Sequence, residues 1–184
     1  MHIIETTLPE VLIIEPAVYG DSRGYFFESY NHARFEQAGV AHNFVQDNES
    51  LSQAGVVRGL HFQAPPYAQG KLVRVQRGKV LDVAVDIRKG SPTYGEHVAV
   101  ELSGENKKMM WIPPGFAHGF ATLENDTVFL YKCTDIYHPE AEGSLLWNDP
   151  ALGIDWKVDA PLLSEKDKTG PTLESFNSPF TYEK

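Results

Sequence analysis

One cysteine, Cys133, stands among 184 residues. A lone thiol cannot close an internal disulfide, so the expectation is a fold held by packing in a reducing, cytoplasmic setting. Basic residues are also short, with 16 Lys and Arg against 25 Asp and Glu and a formal charge of −9. That balance argues against nucleic acid or an anionic membrane as the main partner. It leaves room for an anionic small molecule gripped by a few cations inside a cleft. No apolar run approaches the roughly 18 residues that cross a bilayer. Glu5 and Glu10 stand where a secretion signal would carry positive charge.

Helix signals are few as well. Asn31 ahead of Ala33 and Phe35, with Gly39 behind, reads as one short helix over 31–39. Ser164 followed by acids reads as another over 164–168. What the chain has instead is short alternating runs separated by turn residues. Residues 24–30, 42–50, 56–63, 96–102, 109–113, 119–123 and 127–134 read as strands, and 71–88 as a hairpin turning at Arg77-Gly78. Regular strand spacing of this kind predicts a single all-β domain over 1–184, a sandwich or barrel with a few short peripheral helices. The stretch after Gly170 has few signals and is expected to be loosely held.

Two segments narrow the architecture. Gly55 followed six residues later by His61 matches the opening of the first cupin motif, and "PPGFAH" at 113–118 matches the core of the second. Together they point to a cupin-type jelly roll. A cupin metal site gathers three imidazoles and a carboxylate. Here only His61 and His118 hold ligand positions, because Gln63 replaces the second imidazole and no Glu follows it. The expectation is no metal, unless a carboxylate such as Asp82 or Asp86 arrives from elsewhere. His2, His32, His42 and His97 read as surface residues. His61 differs: it alternates between apolar Leu60 and Phe62, near Arg58 and ahead of Lys71. Burying such groups on one face is costly unless they hold something.

Longer stretches then become informative: "DSRGYFFESYN" (21–31), "FVQDNES" (44–50), "RGLHFQ" (58–63), "QGKLVRV" (69–75), "WIPPGFAHGFATL" (111–123), "YKCTDIYHPEAEGSLLWNDP" (131–150) and "LSEKD" (163–167). With these in order, the chain resembles the dTDP-4-dehydrorhamnose 3,5-epimerase family from the first strand to about residue 170. Ile136 departs from the pattern, standing where a second aromatic is common, and the stretch after 170 has no distinctive family sequence.

The resemblance implies a cofactor-free, cupin-type epimerase that inverts C3 and C5 of dTDP-4-dehydro-6-deoxy-D-glucose. A 4-keto group acidifies both neighbouring C–H bonds, so the reaction needs a base, an acid on the opposite face, and a cation at the enolate oxygen. The resemblance makes His61 the base, since an imidazole of ordinary pKa about 6.5 accepts a proton near neutrality. It makes Asp167 the carboxylate that fixes the His61 tautomer and stabilises the imidazolium, a pairing that the sequence alone does not give. Tyr131 becomes the proton donor, a phenol of ordinary pKa about 10. Lys71 becomes the cation at the enolate, a type of group whose removal typically costs roughly 2.7–4 kcal/mol.

The resemblance also carries over Arg23, Glu28, Gln46, Asn48, Arg58, His118, Glu142 and Lys166 as substrate contacts, and Tyr137 as the ring that stacks on thymine. Arg58 suits a diphosphate, which favours planar guanidinium forks. By sequence alone, Arg23 and Glu28 read as solvated charges, Tyr131 as an edge aromatic, and Lys71 equally well as a solvated lysine. The family further implies a homodimer whose N-terminal strands reach the partner's site. Three other readings stay open: an epimerase acting at C3 or C5 alone on a related dTDP-4-keto sugar, a metal-dependent cupin oxygenase, and a silent sugar-nucleotide binder.

Overall fold

The computed structural model describes residues 1–183. Thirteen strands, one short α-helix and one 3-10 turn (Pro139–Ala141) follow in order among them. They are β1 (His2–Glu5), β2 (Leu12–Glu15), β3 (Val18–Asp21), β4 (Gly24–Phe27), α1 (His32–Gln37), β5 (Gln46–Ser52), β6 (Val57–Gln63) and β7 (Lys71–Arg77). β8 (Lys79–Asp86), β9 (His97–Ser103), β10 (Met109–Ile112), β11 (Phe116–Thr122), β12 (Thr127–Cys133) and β13 (Glu142–Ser144) complete the set. Six strands form one sheet in the order β1-β2-β10-β7-β12-β5, and five form a second in the order β13-β6-β11-β8-β9. β3 and β4 pair as a separate hairpin. The two facing sheets make the jelly-roll sandwich expected from the sequence.

Strand period places the core. Val73 and Val75 of β7, Met110 and Ile112 of β10, and Phe129 of β12 meet Val80 and Ala84 of β8, Leu102 of β9, and Phe116 and Phe120 of β11 between the sheets. The alternate residues of β8, Val83 and Val85, face the other way onto Leu145, Leu152, Trp156 and Phe180 from the C-terminal third. The second sheet is therefore covered on both faces, and β11 is buried at all seven positions. This changes the meaning of the alternation in β8: its polar positions, Asp82 and Asp86, point into the sandwich and are fully buried. Outside the first sheet, Phe35 of α1 packs with Leu72, Met109 and Trp111.

Two local expectations need correction. Residues 164–168 form a single turn and no helix, because "SEKDK" has no apolar stripe to dock and one isolated turn does not propagate. The stretch after Gly170 is tied down rather than loose. Leu173 N–H donates to Asp149 Oδ2 at 2.6 Å, and Lys89 N–H to the Phe180 carbonyl at 3.0 Å. Phe176 and Phe180 stand edge-on to Phe62 at 5.5 and 5.9 Å, and Tyr182 lies under the Arg88 guanidinium.

Candidate active site

Facing strands of the two sheets open a cavity of about 230 Å³, and β6, β11, β7 and β12 supply most of its chemistry. β6 contributes Arg58 and His61, β11 His118, β7 Lys71 and β12 Tyr131, while the 164–167 turn closes one side with Lys166 and Asp167. Close approach of β6 to β11 needs glycine at position 59. A Cβ there would lie 2.5 Å from Gly119 Cα and 2.8 Å from the His118 carbonyl, on a backbone already at φ +121°.

His61 and Asp167, 106 residues apart, are joined by a 2.6 Å contact from Nε2 to Oδ1. Both carboxylate oxygens have partners. Oδ2 accepts from the Ser164 hydroxyl at 2.7 Å, and the Gly59 N–H reaches Oδ1 at 3.4 Å. Burial works to raise the Asp167 carboxyl, but the hydrogen bonds from His61 and Ser164 outweigh it and hold the group below the usual range. An ionised Asp167 can only accept, so Nε2 carries the hydrogen and the neutral imidazole keeps its lone pair on Nδ1.

Behind this pair lies a second one. His118 Nε2 sits 3.0 Å from both oxygens of the fully buried Asp82. Burial pushes the Asp82 carboxyl up and the His118 imidazole down. Asp82 thus engages His118 directly, and no group of three or more metal-binding side chains assembles among the described residues. Burial also lowers Lys71, with Asp82 and Glu142 pulling it back, and it raises the Tyr131 phenol, which therefore stays protonated at neutral pH. Arg58 donates only weakly, to the Ser52 hydroxyl at 3.3–3.4 Å. Three cations, Arg58, Lys71 and Lys166, line a cavity within a chain of negative net charge.

A polar chain runs outside the cavity. Gln46 donates to Asn48 at 3.1 Å and accepts from Tyr137 N–H at 2.8 Å, and the Tyr137 hydroxyl donates to Glu142 at 2.7 Å. Glu142 pairs in turn with Lys166. Burial tends to raise Glu142, but Lys166 and Tyr137 bring it below the usual range. Asn48 also donates toward Cys133 Sγ at 3.7 Å. The Tyr137 ring is half exposed, the state an aromatic needs to receive a flat base.

Arg23 and Glu28 stand apart from this group. Arg23 grips Asp21 at the tip of the β3–β4 hairpin, and Glu28, just after β4, pairs with Arg34 at 3.4 Å. Neither lines the cavity of its own chain. Two residues close to the centre were missed from sequence, Ser164 and Ser50. The sequence suggests for Ser164 only a helix cap, although its place three residues before Asp167 fits a side chain that turns back on that carboxylate. The sequence offers Asp82 only as a metal ligand, and nothing in the local pattern of β8 announces its pairing with His118.

A family model described as dTDP-4-dehydrorhamnose 3,5-epimerase matches residues 5–175. The dTDP-4-dehydrorhamnose 3,5-epimerase of Salmonella typhimurium is 57% identical over 176 residues, covering 95% of this chain and 96% of that protein. The Pseudomonas aeruginosa protein of the same name is 57% identical over 172 residues, 92% and 94% of the two chains. A crystal structure of dTDP-6-deoxy-D-glucose-3,5-epimerase from Legionella pneumophila, in complex with dTDP-4-keto-L-rhamnose, superposes with a TM-score of 0.96 at 51% identity. It covers 100% of this chain and 99% of that one.

Proposed function

The chain belongs to the dTDP-4-dehydrorhamnose 3,5-epimerase family, and on that footing we infer that it is an isomerase inverting C3 and C5 of dTDP-4-dehydro-6-deoxy-D-glucose to give dTDP-4-dehydro-L-rhamnose. The observation that carries the residue assignments is a base–carboxylate pair and a protonated phenol on different sheets of one cavity.

In this reading the hexose lies between the sheets with its ketone toward Lys71. His61 Nδ1 removes a proton from a carbon beside the carbonyl, and electrons move onto the carbonyl oxygen. The Lys71 ammonium stabilises the enolate in a water-poor site. Asp167 keeps the imidazole in the productive tautomer and stabilises its cationic form, while the proton transfer by His61 is general acid–base work of a kind worth about 10²–10⁴-fold. Tyr131, on the facing sheet, delivers a proton to the opposite side of the carbon. His61 then gives its proton to solvent and the Tyr131 phenolate regains one, so that repetition at the second carbon completes the double inversion. Arg58 and Lys166 take the diphosphate, Tyr137 the thymine face, and Gln46, Asn48, His118 and Glu142 further contacts.

The dimer belongs to the same proposal. Val18, Tyr19, Tyr25 and Phe26 on the β3–β4 hairpin are 45–69% exposed, an apolar display that suits a docking surface. Arg23 and Glu28 ride on the same arm, so a second copy receiving it would bring them to the partner's cavity. No helix among the described residues is long and apolar enough to cross a membrane.

The deciding experiment is incubation with dTDP-4-dehydro-6-deoxyglucose in D2O, followed by NMR. Deuterium at both C3 and C5 is expected. Label at one carbon alone would assign a single-site epimerase, and no label would reject the proton-transfer mechanism.

A further inference from the structure

Among the described residues, two buried side-chain polar atoms have no hydrogen-bonding partner: Ser50 Oγ and Thr122 Oγ1. Only Ser50 lines the cavity of His61, Lys71 and Tyr131. A hydroxyl shut away from bulk water and left unmatched is a cost to the free protein, and native structures seldom keep one without a use. β5 explains its position. The strand pairs with β12, setting Ser50 opposite Phe129 and Asn48 opposite Tyr131. Two residues further along the same face, the Ser52 hydroxyl accepts from Arg58.

We propose that Ser50 is a specificity-determining residue whose hydroxyl binds the C2 hydroxyl of the hexose. This rests on the epimerase reading above. A neutral group that both donates and accepts matches a sugar hydroxyl better than a phosphate or an enolate, which the neighbouring cations serve. Two hydroxyls are available on the substrate, at C2 and C3. The one at C3 changes orientation during inversion, so a fixed partner there would favour one epimer. The one at C2 keeps its configuration and lies next to the carbon bearing the diphosphate. Ser50 is correspondingly one inward step along β5 from the serine that holds Arg58, the proposed diphosphate ligand.

The test compares wild type and Ser50→Ala on dTDP-4-dehydro-6-deoxyglucose and on its 2-deoxy analogue. One hydrogen bond corresponds to a fall in kcat/KM of about 2- to 13-fold on the parent substrate. On the 2-deoxy analogue the two enzymes should differ less than this, since the partner hydroxyl is gone. Affinity for dTDP, which has no hexose, stays the same, and the melting temperature holds or rises because an unmatched hydroxyl is removed. Equal rates on the parent substrate, or the same loss on both compounds, would overturn the assignment. So would a lower melting temperature with weakened dTDP binding, which marks a structural role. A wild-type protein inactive on both compounds would instead overturn the epimerase reading, and this assignment with it.

Discussion

Replacing Asp167 with Asn tests how the proposed base, His61, is held. An amide has one accepting and one donating end, and the surroundings of Asp167 choose between its two orientations. The Gly59 N–H points at Oδ1, the same atom that meets His61. Placing the amide NH2 there would set donor against donor, whereas at the Oδ2 position it meets Ser164 Oγ, which can accept. The favoured orientation leaves a carbonyl oxygen facing His61 Nε2–H, so the tautomer survives and only the charge is lost. A hydrogen bond to a charged group is worth about 1.5–3 kcal/mol and a neutral one about 0.5–1.5. The exchange therefore costs on the order of 1–1.5 kcal/mol, or roughly 5- to 13-fold in rate. A wrong tautomer would cost nearer 10⁴-fold, as in serine protease triads. The assay is the rate of solvent deuterium entry at C3 and C5 under saturating substrate. A loss near 10⁴-fold, or none, would refute the reasoning. The same variant has a pH signature. Asp167 titrates below its unfolded value of about 3.9, so its stabilisation is fully present above that pH and disappears as pH falls through the folded value. The Asn variant should melt below wild type at pH 7, with the gap closing in strong acid.

Tyr131→Phe should retain proton abstraction by His61 while losing delivery from the opposite sheet; label enters the substrate in D2O, but inverted product falls by at least 10²-fold, and normal turnover would remove Tyr131 from the acid role. The dimer is checked by sedimentation: wild type should run at twice the 20.6 kDa chain mass, and Phe26→Asp should shift it toward monomer. A wild type that sediments as a monomer at micromolar concentration would overturn the dimer reading.

The fold was legible wherever one face of a strand met water. Alternation located β7, β9 and β12, and Arg77-Gly78 marked the β7–β8 turn, where Gly78 sits at φ +78°. It failed where packing came from both sides. β8 read as half exposed because nothing local announces that residues 145–180 will cover its back, and so the burial of Asp82 was invisible. β1 to β3 and β13 have no counterpart in the sequence reading, since strands of three or four residues present few positions for a period. β4 and β10, equally short, are legible because each lies in a compact apolar run, 25–27 and 109–112. In the candidate site, His61 stands out by chemistry as well as by family likeness, whereas Lys71 and Tyr131 are singled out by the likeness alone. Asp167 could be tied to His61 only through that likeness, since a contact across 106 residues leaves no trace in local pattern. Ser50 had no signal, because an orphaned hydroxyl is a property of the assembled cavity.

Phe62, the neighbour of His61 in β6, leans on Phe176 and Phe180. The strand bearing the proposed base is thus wedged from behind by rings encoded more than a hundred residues downstream. A chain emerging from the ribosome would have both sheets available before it had this brace. Protease nicking near residue 175 would loosen the imidazole without touching the cavity, so loss of turnover should precede loss of β structure as the cut accumulates.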